Sequence, residues 1–377
     1  MIQRQLFDVL KRLMNTGKAI VLIGARQTGK TTLLKELVKD GKNVQWLDAD
    51  DITNRNLISN LTISKLPSLF GNNDIVVVDE AQRVENIGLQ MKLITDNLPN
   101  VQLLITGSSA FELANRINEP LTGRKWEYKL YPFSFFELQQ HFGTVNEIKN
   151  LPLRLVYGCY PDVVNNTGNE RAILSQLTNS YLYKDILEWE RIKHPDKLVK
   201  LLQSLAFQVG SEVSYSELAN SVGMDKATVE KYITLLEQIQ VIFRLGSFSR
   251  NLRNELKMSK KVYFYDNGIR NALIGNFNDI ALRDDQGKLW ENYMISELKK
   301  KHEYTGDYAL TYFWRTVQQQ EIDYLEEKDG VLMAYEFKWN PKKKARVSKT
   351  FLNAYPHSNV ITITPESNYT TEGIAAN

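Results

Sequence analysis

Between Ala19 and Glu36 the chain reads AIVLIGARQTGKTTLLKE, and no other stretch limits its architecture as much. An apolar run from Ala19 to Ile23 breaks at Gly24. The pattern glycine, four residues, Gly-Lys-Thr then falls on Gly24, Gly29, Lys30 and Thr31, and helix formers follow at once. This order predicts a strand, a phosphate-binding loop and a helix. Glycines let backbone N–H groups close around phosphate oxygens, and the N-terminus of the next helix offers unpaired donors and partial positive charge. Gly24, Ala25, Arg26, Gln27, Thr28, Gly29, Lys30, Thr31 and Thr32 are therefore the candidate phosphate-contacting residues, with Lys30 on the β- and γ-phosphates and Thr31 on Mg²⁺. The competing reading is a glycine-rich turn that caps a helix, and the apolar strand in front argues against it.

At 377 residues the chain is too long for one small core, so several domains are expected. A net charge of +3 does not by itself call for nucleic acid, so any basic surface must be local. Cys159 is the lone cysteine, which excludes an internal disulfide framework and suits a reducing, cytoplasmic compartment. The opening MIQRQLFDVLKRLMNTGK mixes charges into its apolar positions, as a surface helix does and a signal peptide does not. Nowhere does an apolar run approach the ~18 residues of a membrane span, so no membrane partner is expected.

Leu6, Val9, Leu10 and Leu13 predict one apolar face on a helix over residues 1–18. Asn43 to Leu47 reads as a short strand closing on Asp48, Asp50 and Asp51, taken as solvated turn formers. DIVVVDE, Asp74 to Glu80, has the continuous apolar run of a strand buried on both faces, with two carboxylates where it stops. Doubly wound folds bind ligands beyond the carboxyl ends of their strands. Asp79 is thus expected in the Mg²⁺ shell, and Glu80 as the base that takes a proton from the attacking water. The alternative is an acidic turn in solvent. A third buried strand, Val101 to Thr106, ends in Gly107, Ser108 and Ser109. Ser108 either orients the lytic water, caps the helix that starts near Phe111, or does both.

GARQTGKTT, VVVDEAQ, LLITGSSA, LTGR followed by LYPFSFFEL, and GCYP together resemble the AAA+ branch of the P-loop ATPases. More narrowly they resemble prokaryotic AAA-type ATPases with a C-terminal domain of unknown function, the DUF4143 type. The resemblance implies an α/β protein built on a P-loop NTPase parallel sheet, with ATP and Mg²⁺ as cofactors, ATP hydrolysis, and a homo-oligomer. It also implies that Arg124, in LTGR, is an arginine finger near an ATP, its own or a neighbouring subunit's. A guanidinium there neutralises charge growing on the γ-phosphate, worth roughly 10³ to 10⁵ in rate. Arg116 competes for the role, and a second sensor arginine is not evident. The expected layout is an ATPase domain over 1–150, a helical connector over 151–205, a winged helix over 206–265 and a nuclease-like α/β domain over 266–377.

Residues 212–246 carry helix-turn-helix spacing. Ser216 caps a helix holding Leu218 and Ala219, Gly223 supplies the turn, Asp225 caps a second helix, and Val229 and Ile233 face its core. Lys226, Thr228 and Lys231 lie on the exposed face, and Val241 to Leu245 is the following strand. Arg244, Arg250, Arg253, Lys257, Lys260 and Lys261 against Glu255 tip the reading toward a DNA phosphate backbone; a solvated basic face or a protein-binding module has the same outline.

Further on, QEIDYL (Gln320 to Leu325) and VLMAYEFKW (Val331 to Trp339) alternate like strands around Asp329-Gly330, a favoured hairpin pair. With that turn, Asp323 faces Glu336 and Glu321 faces Lys338, all on one side. Opposed carboxylates repel, so a cation, a raised pKa or a lysine must offset the cost. Joined to Glu291 on KLWENYMISELKKK, the pattern resembles the PD-(D/E)xK nuclease fold. That likeness suggests Asp323 and Glu336 as Mg²⁺ ligands, Lys338 orienting water and Glu291 in support. No proline precedes Asp323, and Glu321 with Lys338 has a surface ion pair as its alternative. Lys342, Lys343, Lys344, Arg346 and Lys349 form a basic run nearby, suited to phosphates or to solubility alone.

Two functions are consistent with these features: an ATPase motor or switch acting on DNA, and a nucleotide-gated protein-interaction switch whose nuclease-like domain is inactive. An ATP-regulated, metal-dependent nuclease is a third.

Overall fold

The AIVLI run becomes β1 (Ala19–Ile23), with all of its residues buried. In this computed structural model, which describes residues 1–107, 121–182, 195–249, 260–316, 318–342 and 348–367, it sits inside a parallel sheet. The partners are β2 (Val44–Asp48), β3 (Ile75–Asp79), β4 (Gln102–Gly107) and β5 (Lys125–Lys129), in the order β2-β3-β4-β1-β5. Each neighbouring pair runs parallel. Strands covered on both faces need uninterrupted apolar runs, and β1, β3 and β4 supply them. Val21, Ile23, Val76, Val78 and Ile105 pack with Phe70, Met91 and Ile94 in one core. The flanking helix α1 (Gln5–Leu13) buries Leu6 and Leu10, while Val9 and Leu13 are only half-buried.

Chain order reverses at β1: β2, β3 and β4 lie to one side and β5 to the other. Such a switch point opens a crevice beyond the strand ends. Ile23 is in register with Gly107, so the loop after β1 begins beside the end of β4. From the loop rises α2 (Lys30–Leu37).

This sheet belongs to a compact unit of Met1–Tyr131 with Gln238–Gln240, and a second unit holds Pro132–Glu237 and Val241–Asn377. The boundary expected at residue 150 falls inside the second of these units. The reason is a set of buried bonds within the second unit. Lys300 Nζ donates to Phe133 O at 3.0 Å and to Glu297 Oε1 at 2.7 Å, and Phe135 N donates to Glu297 Oε2 at 2.8 Å. Ser134 and Glu137 form a capping box at the start of the helix Phe135–Phe142. The PFSFFEL part of the motif is thus an attachment to the long helix Gln286–Thr305, which is buried on most sides.

GCYP is equally structural. Gly158 has φ +73°, and a β-carbon there would stand 2.0 Å from Asp266 Oδ1. Cys159 N donates to Asp266 Oδ2 at 2.7 Å, and Pro161 opens the next helix, where no N–H is required.

The helix-turn-helix forms from the helices Tyr215–Val222 and Lys226–Gln238. Gly223 takes the left-handed turn at φ +66°, and Asp225 accepts from Thr228 N at 2.8 Å. The first cap is Ser214 rather than Ser216: the helix starts two residues earlier than expected, and Glu217 N donates to Ser214 Oγ. The strands beside it, β6 (Glu212–Val213), β7 (Ile242–Ser247) and β8 (Lys260–Phe264), do not close on themselves. They continue into β9 (Leu310–Arg315), β10 (Glu321–Lys328), β11 (Val331–Phe337) and β12 (Asn359–Ile363) as one sheet ordered β12-β11-β10-β9-β7-β8-β6. Pairing of Gly246 with Tyr312 and Ser247 with Phe313 makes the join, so the boundary expected between residues 265 and 266 falls inside a single sheet. Among the described residues no helix is long and apolar enough to cross a membrane.

Candidate functional site

The loop after β1 is built by backbone conformations that its sequence permits. Gln27 has φ +60° and Gly29 φ +94°, and a β-carbon on Gly24 would lie 2.5 Å from Leu130 O. Thr28 is fully buried, and its hydroxyl donates to Ala25 O at 2.9 Å. Lys30, also buried, donates from Nζ to Gly24 O and Ala25 O at 2.9 Å each. Ala25, Arg26 and Gln27 are half-buried, and Thr32 is exposed on α2.

Beside the loop, Thr31 Oγ1 donates to Asp79 Oδ2 at 2.9 Å. The Thr106 hydroxyl donates to the other oxygen, Asp79 Oδ1, which also accepts from Glu80 N at 3.2 Å. Glu80 N shares its hydrogen with Thr106 Oγ1 at 3.2 Å, and Glu80 Oε2 accepts from Gln82 Nε2 at 2.6 Å. Glu80 has φ +52°, a left-handed backbone costing roughly 1–3 kcal/mol for a residue with a β-carbon, and such strain gathers at functional sites. Lys30, Thr31, Asp79 and Glu80 are therefore brought together at the ends of β1 and β3. Thr106 and Gln82 complete the cluster and escape the sequence reading. A hydroxyl closing the apolar run VQLLIT was the available signal for Thr106.

Ser108 and Arg116 lie outside the described residues. Arg124 is not brought to the loop of its own chain. Its carbonyl accepts from Ala19 N at the opposite end of β1, about 13 Å away along the strand, and its Nε donates to Asp96 Oδ1 at 2.6 Å. The carboxylates after β2 are turn formers, as expected: Asp51 caps the helix Ile52–Ser59 and Asp50 pairs with Arg83.

In the second unit the hairpin register is as its turn predicts, from Lys328 opposite Val331 to Tyr324 opposite Tyr335, with Asp329 and Gly330 at φ +51° and +80°. Lys338 Nζ bridges Glu336 Oε2 at 2.6 Å and Asp323 Oδ2 at 3.4 Å, and Asp323 Oδ2 also accepts from Phe337 N at 2.8 Å. Glu321 does not meet Lys338. The register of β10 on β9 shifts between Ile322 and Leu325, a bulge of the kind that re-aims side chains, and Glu321 pairs with Lys261 instead. Glu291 accepts from Tyr263 OH at 2.6 Å and from Lys261 Nζ at 3.3 Å.

Burial pushes Glu291 up to about 7, with Lys261 opposing and Asp323 adding to the shift. Burial also pushes Glu336 up to about 7, with Asp323 adding and Lys338 opposing. Burial disfavours the Lys261 charge, but Glu291 and Glu321 outweigh it and hold its pKa above that of a free lysine. Among the described residues no group of three or more His, Cys, Asp or Glu is arranged for a metal ion. The expected ligands Asp323 and Glu336 meet Lys338, and Glu291 meets Tyr263 and Lys261.

A carboxyl raised in the folded state keeps its proton at pH values where the unfolded chain has released it. Stability therefore falls as pH rises from the ordinary 4.5 toward 7, by up to about 1.4 kcal/mol per pH unit for each group, and levels off above. Thermal unfolding followed from pH 5 to 8 is expected to show this decline, and Glu291→Gln or Glu336→Gln to flatten it. Unchanged slopes in both variants would assign the decline to other groups.

The basic residues after the helix-turn-helix are less available than their count suggests. Arg244 donates to Tyr215 OH at 2.9 Å and pairs with Glu237, and Lys261 is 2 % exposed within the cluster above. Arg250, Arg253, Lys257, Lys343, Lys344 and Arg346 lie outside the described residues. Lys226, Lys231, Lys260, Lys342 and Lys349 are exposed.

A parallel sheet with its switch point at β1, a Gly-Lys-Thr loop leading into α2, and an aspartate beside the loop threonine define a P-loop nucleotide-binding ATPase fold. Comparison with known families makes this particular. The AAA domain matches residues 16–139, the domain of unknown function DUF8612 residues 148–280, and the domain of unknown function DUF4143 residues 286–376. The chain thus carries an AAA domain on a P-loop ATPase fold, followed by matches to DUF8612 and to a C-terminal DUF4143 domain. An uncharacterised protein of Mycobacterium tuberculosis is 24% identical over 342 residues, covering 87% of this chain and 72% of its own. One from Haemophilus influenzae is 28% identical over 279 residues, covering 68% and 69%. Among solved structures, a Walker-type ATPase of Pyrococcus abyssi shares the fold with a TM-score of 0.51 at 16% identity, over 72% of this chain and 96% of that one.

Proposed function

We propose that this chain binds and hydrolyses ATP at the loop after β1 and works as a nucleotide-gated switch. The observation that carries the reading is the bonded set Thr31–Asp79–Thr106 beside a buried Lys30. Buried oxygen donors suit a hard divalent cation, and Thr31 and Asp79 are the residues that would hold Mg²⁺. Mg²⁺ bound with the triphosphate supplies charge neutralisation at the phosphates. Lys30 contributes a fixed cation, Gly24 to Thr32 the amides and hydroxyls of the cradle, and Glu80, held by Gln82, accepts the proton of the attacking water. Arg124 acts on a neighbouring subunit's nucleotide, because its own loop is a strand's length away.

Action on DNA rests on the exposed Lys226 and Lys231 of the helix-turn-helix. Internal pairing of Arg244 and Lys261 favours the other reading, a protein-interaction switch with a nuclease-like domain that does not cut. ATP turnover measured against protein concentration, with and without duplex DNA, tests both. The switch predicts a rate per chain that rises with concentration, as subunits complete one another's sites, and that ignores DNA. Stimulation by DNA that fades steeply with salt would restore the motor. A concentration-independent rate would remove Arg124 from the chemistry.

A further inference from the structure

Arg4 precedes α1 at its N-cap and is 7% exposed, far from the loop in sequence but not in space. Its guanidinium donates from Nη1 to Thr28 O at 2.8 Å and from Nη2 to Tyr131 O at 2.6 Å. Thr28 is a residue of the phosphate loop. Tyr131 follows Leu130, whose N–H donates to Ile23 O at 2.7 Å and whose carbonyl blocks any side chain at Gly24. The two ends of the loop are therefore held by one buried cation and the segment that leaves β5.

In a trans peptide the carbonyl of one residue and the N–H of the next point in opposite directions. Drawing the Thr28 carbonyl toward Arg4 turns the Gly29 N–H away from it. A β-carbon on Gly29 would stand 3.7 Å from Arg4 Nη1, so the guanidinium also lies close enough to lend its charge to the loop. We propose that Arg4 is a positioning residue for nucleotide binding: it fixes the Thr28–Gly29 peptide so that the Gly29 N–H faces the phosphates. This rests on the loop being a nucleotide site, and the test separates the two.

Affinity for ATP and ADP, kcat and KM are measured for the wild type, Arg4→Lys and Arg4→Gln, with Lys30→Ala as the control and nucleotide-free unfolding alongside. Arg4→Gln is expected to bind ATP about 10- to 100-fold more weakly, the worth of a charge-assisted hydrogen bond, with the loss in KM rather than kcat. Arg4→Lys, which cannot reach both carbonyls in fork geometry, should fall between and melt close to the wild type without nucleotide. Wild-type affinity in both variants would overturn the inference while Lys30→Ala still abolished binding. So would variants that melt early yet bind normally, since that is a structural role. A wild type that binds no nucleotide would overturn the reading of the site itself, and Arg4's role with it.

Discussion

Lys30→Ala is expected to bind ATP at least about 10³-fold more weakly than the wild type, which in practice reads as no binding. The ammonium is buried and aimed by two carbonyls of its own loop at 2.9 Å each, so it is already ordered before ligand arrives. A unit charge about 4 Å from a phosphate oxygen is worth on the order of 4 kcal/mol at the effective dielectric near a protein surface, and alanine removes all of it. The same change leaves Gly24 O and Ala25 O without this donor, so a modest loss of thermal stability should accompany it. Fluorescence of a labelled nucleotide measures the affinity, with circular dichroism to verify folding. A folded Lys30→Ala protein with wild-type affinity would mean that the phosphates lie elsewhere.

Glu80→Gln should keep its affinity for ATP while turnover falls by roughly 10² to 10⁴, the worth of a positioned general base. The exchange is nearly isosteric. Glutamine can still accept the hydrogen of Gln82, and the backbone N–H that Thr106 and Asp79 hold is untouched. What disappears is the capacity to take a proton. Phosphate release under single-turnover conditions isolates that step from nucleotide exchange. Normal turnover would assign the base elsewhere and leave the strained φ of Glu80 without a catalytic purpose. Weakened binding would instead make the carboxylate part of the nucleotide's electrostatic surroundings.

What the sequence disclosed was local. The strand before Gly24, the turn at Gly29, the carboxylates closing DIVVVDE and the register set by Asp329-Gly330 follow from periodicity and from φ angles that few residues adopt. What it concealed was pairing at a distance. Arg4 meets Tyr131 across 127 residues, Glu80 meets Thr106 across 26 and Lys261 meets Glu321 across 60. No run of neighbours foretells such contacts. A count of lysines and arginines after the helix-turn-helix cannot reveal that Glu237 and Glu291 answer two of them. Nor does alternation along each strand reveal that β7 lies beside β9, which is why separate domains were expected where one sheet runs through. Ser214 against Ser216 is a smaller case, since both can cap and only the helix start decides.

Crystals grown with Mg²⁺ and a nonhydrolysable ATP analogue test the central claim most directly. The account predicts the triphosphate wrapped by residues 24–32, Lys30 Nζ moved from the carbonyls onto the terminal phosphate, and the cation beside Thr31 and Asp79. A nucleotide seated away from that loop, or a saturating soak that leaves Lys30 on Gly24 O and Ala25 O, would contradict it.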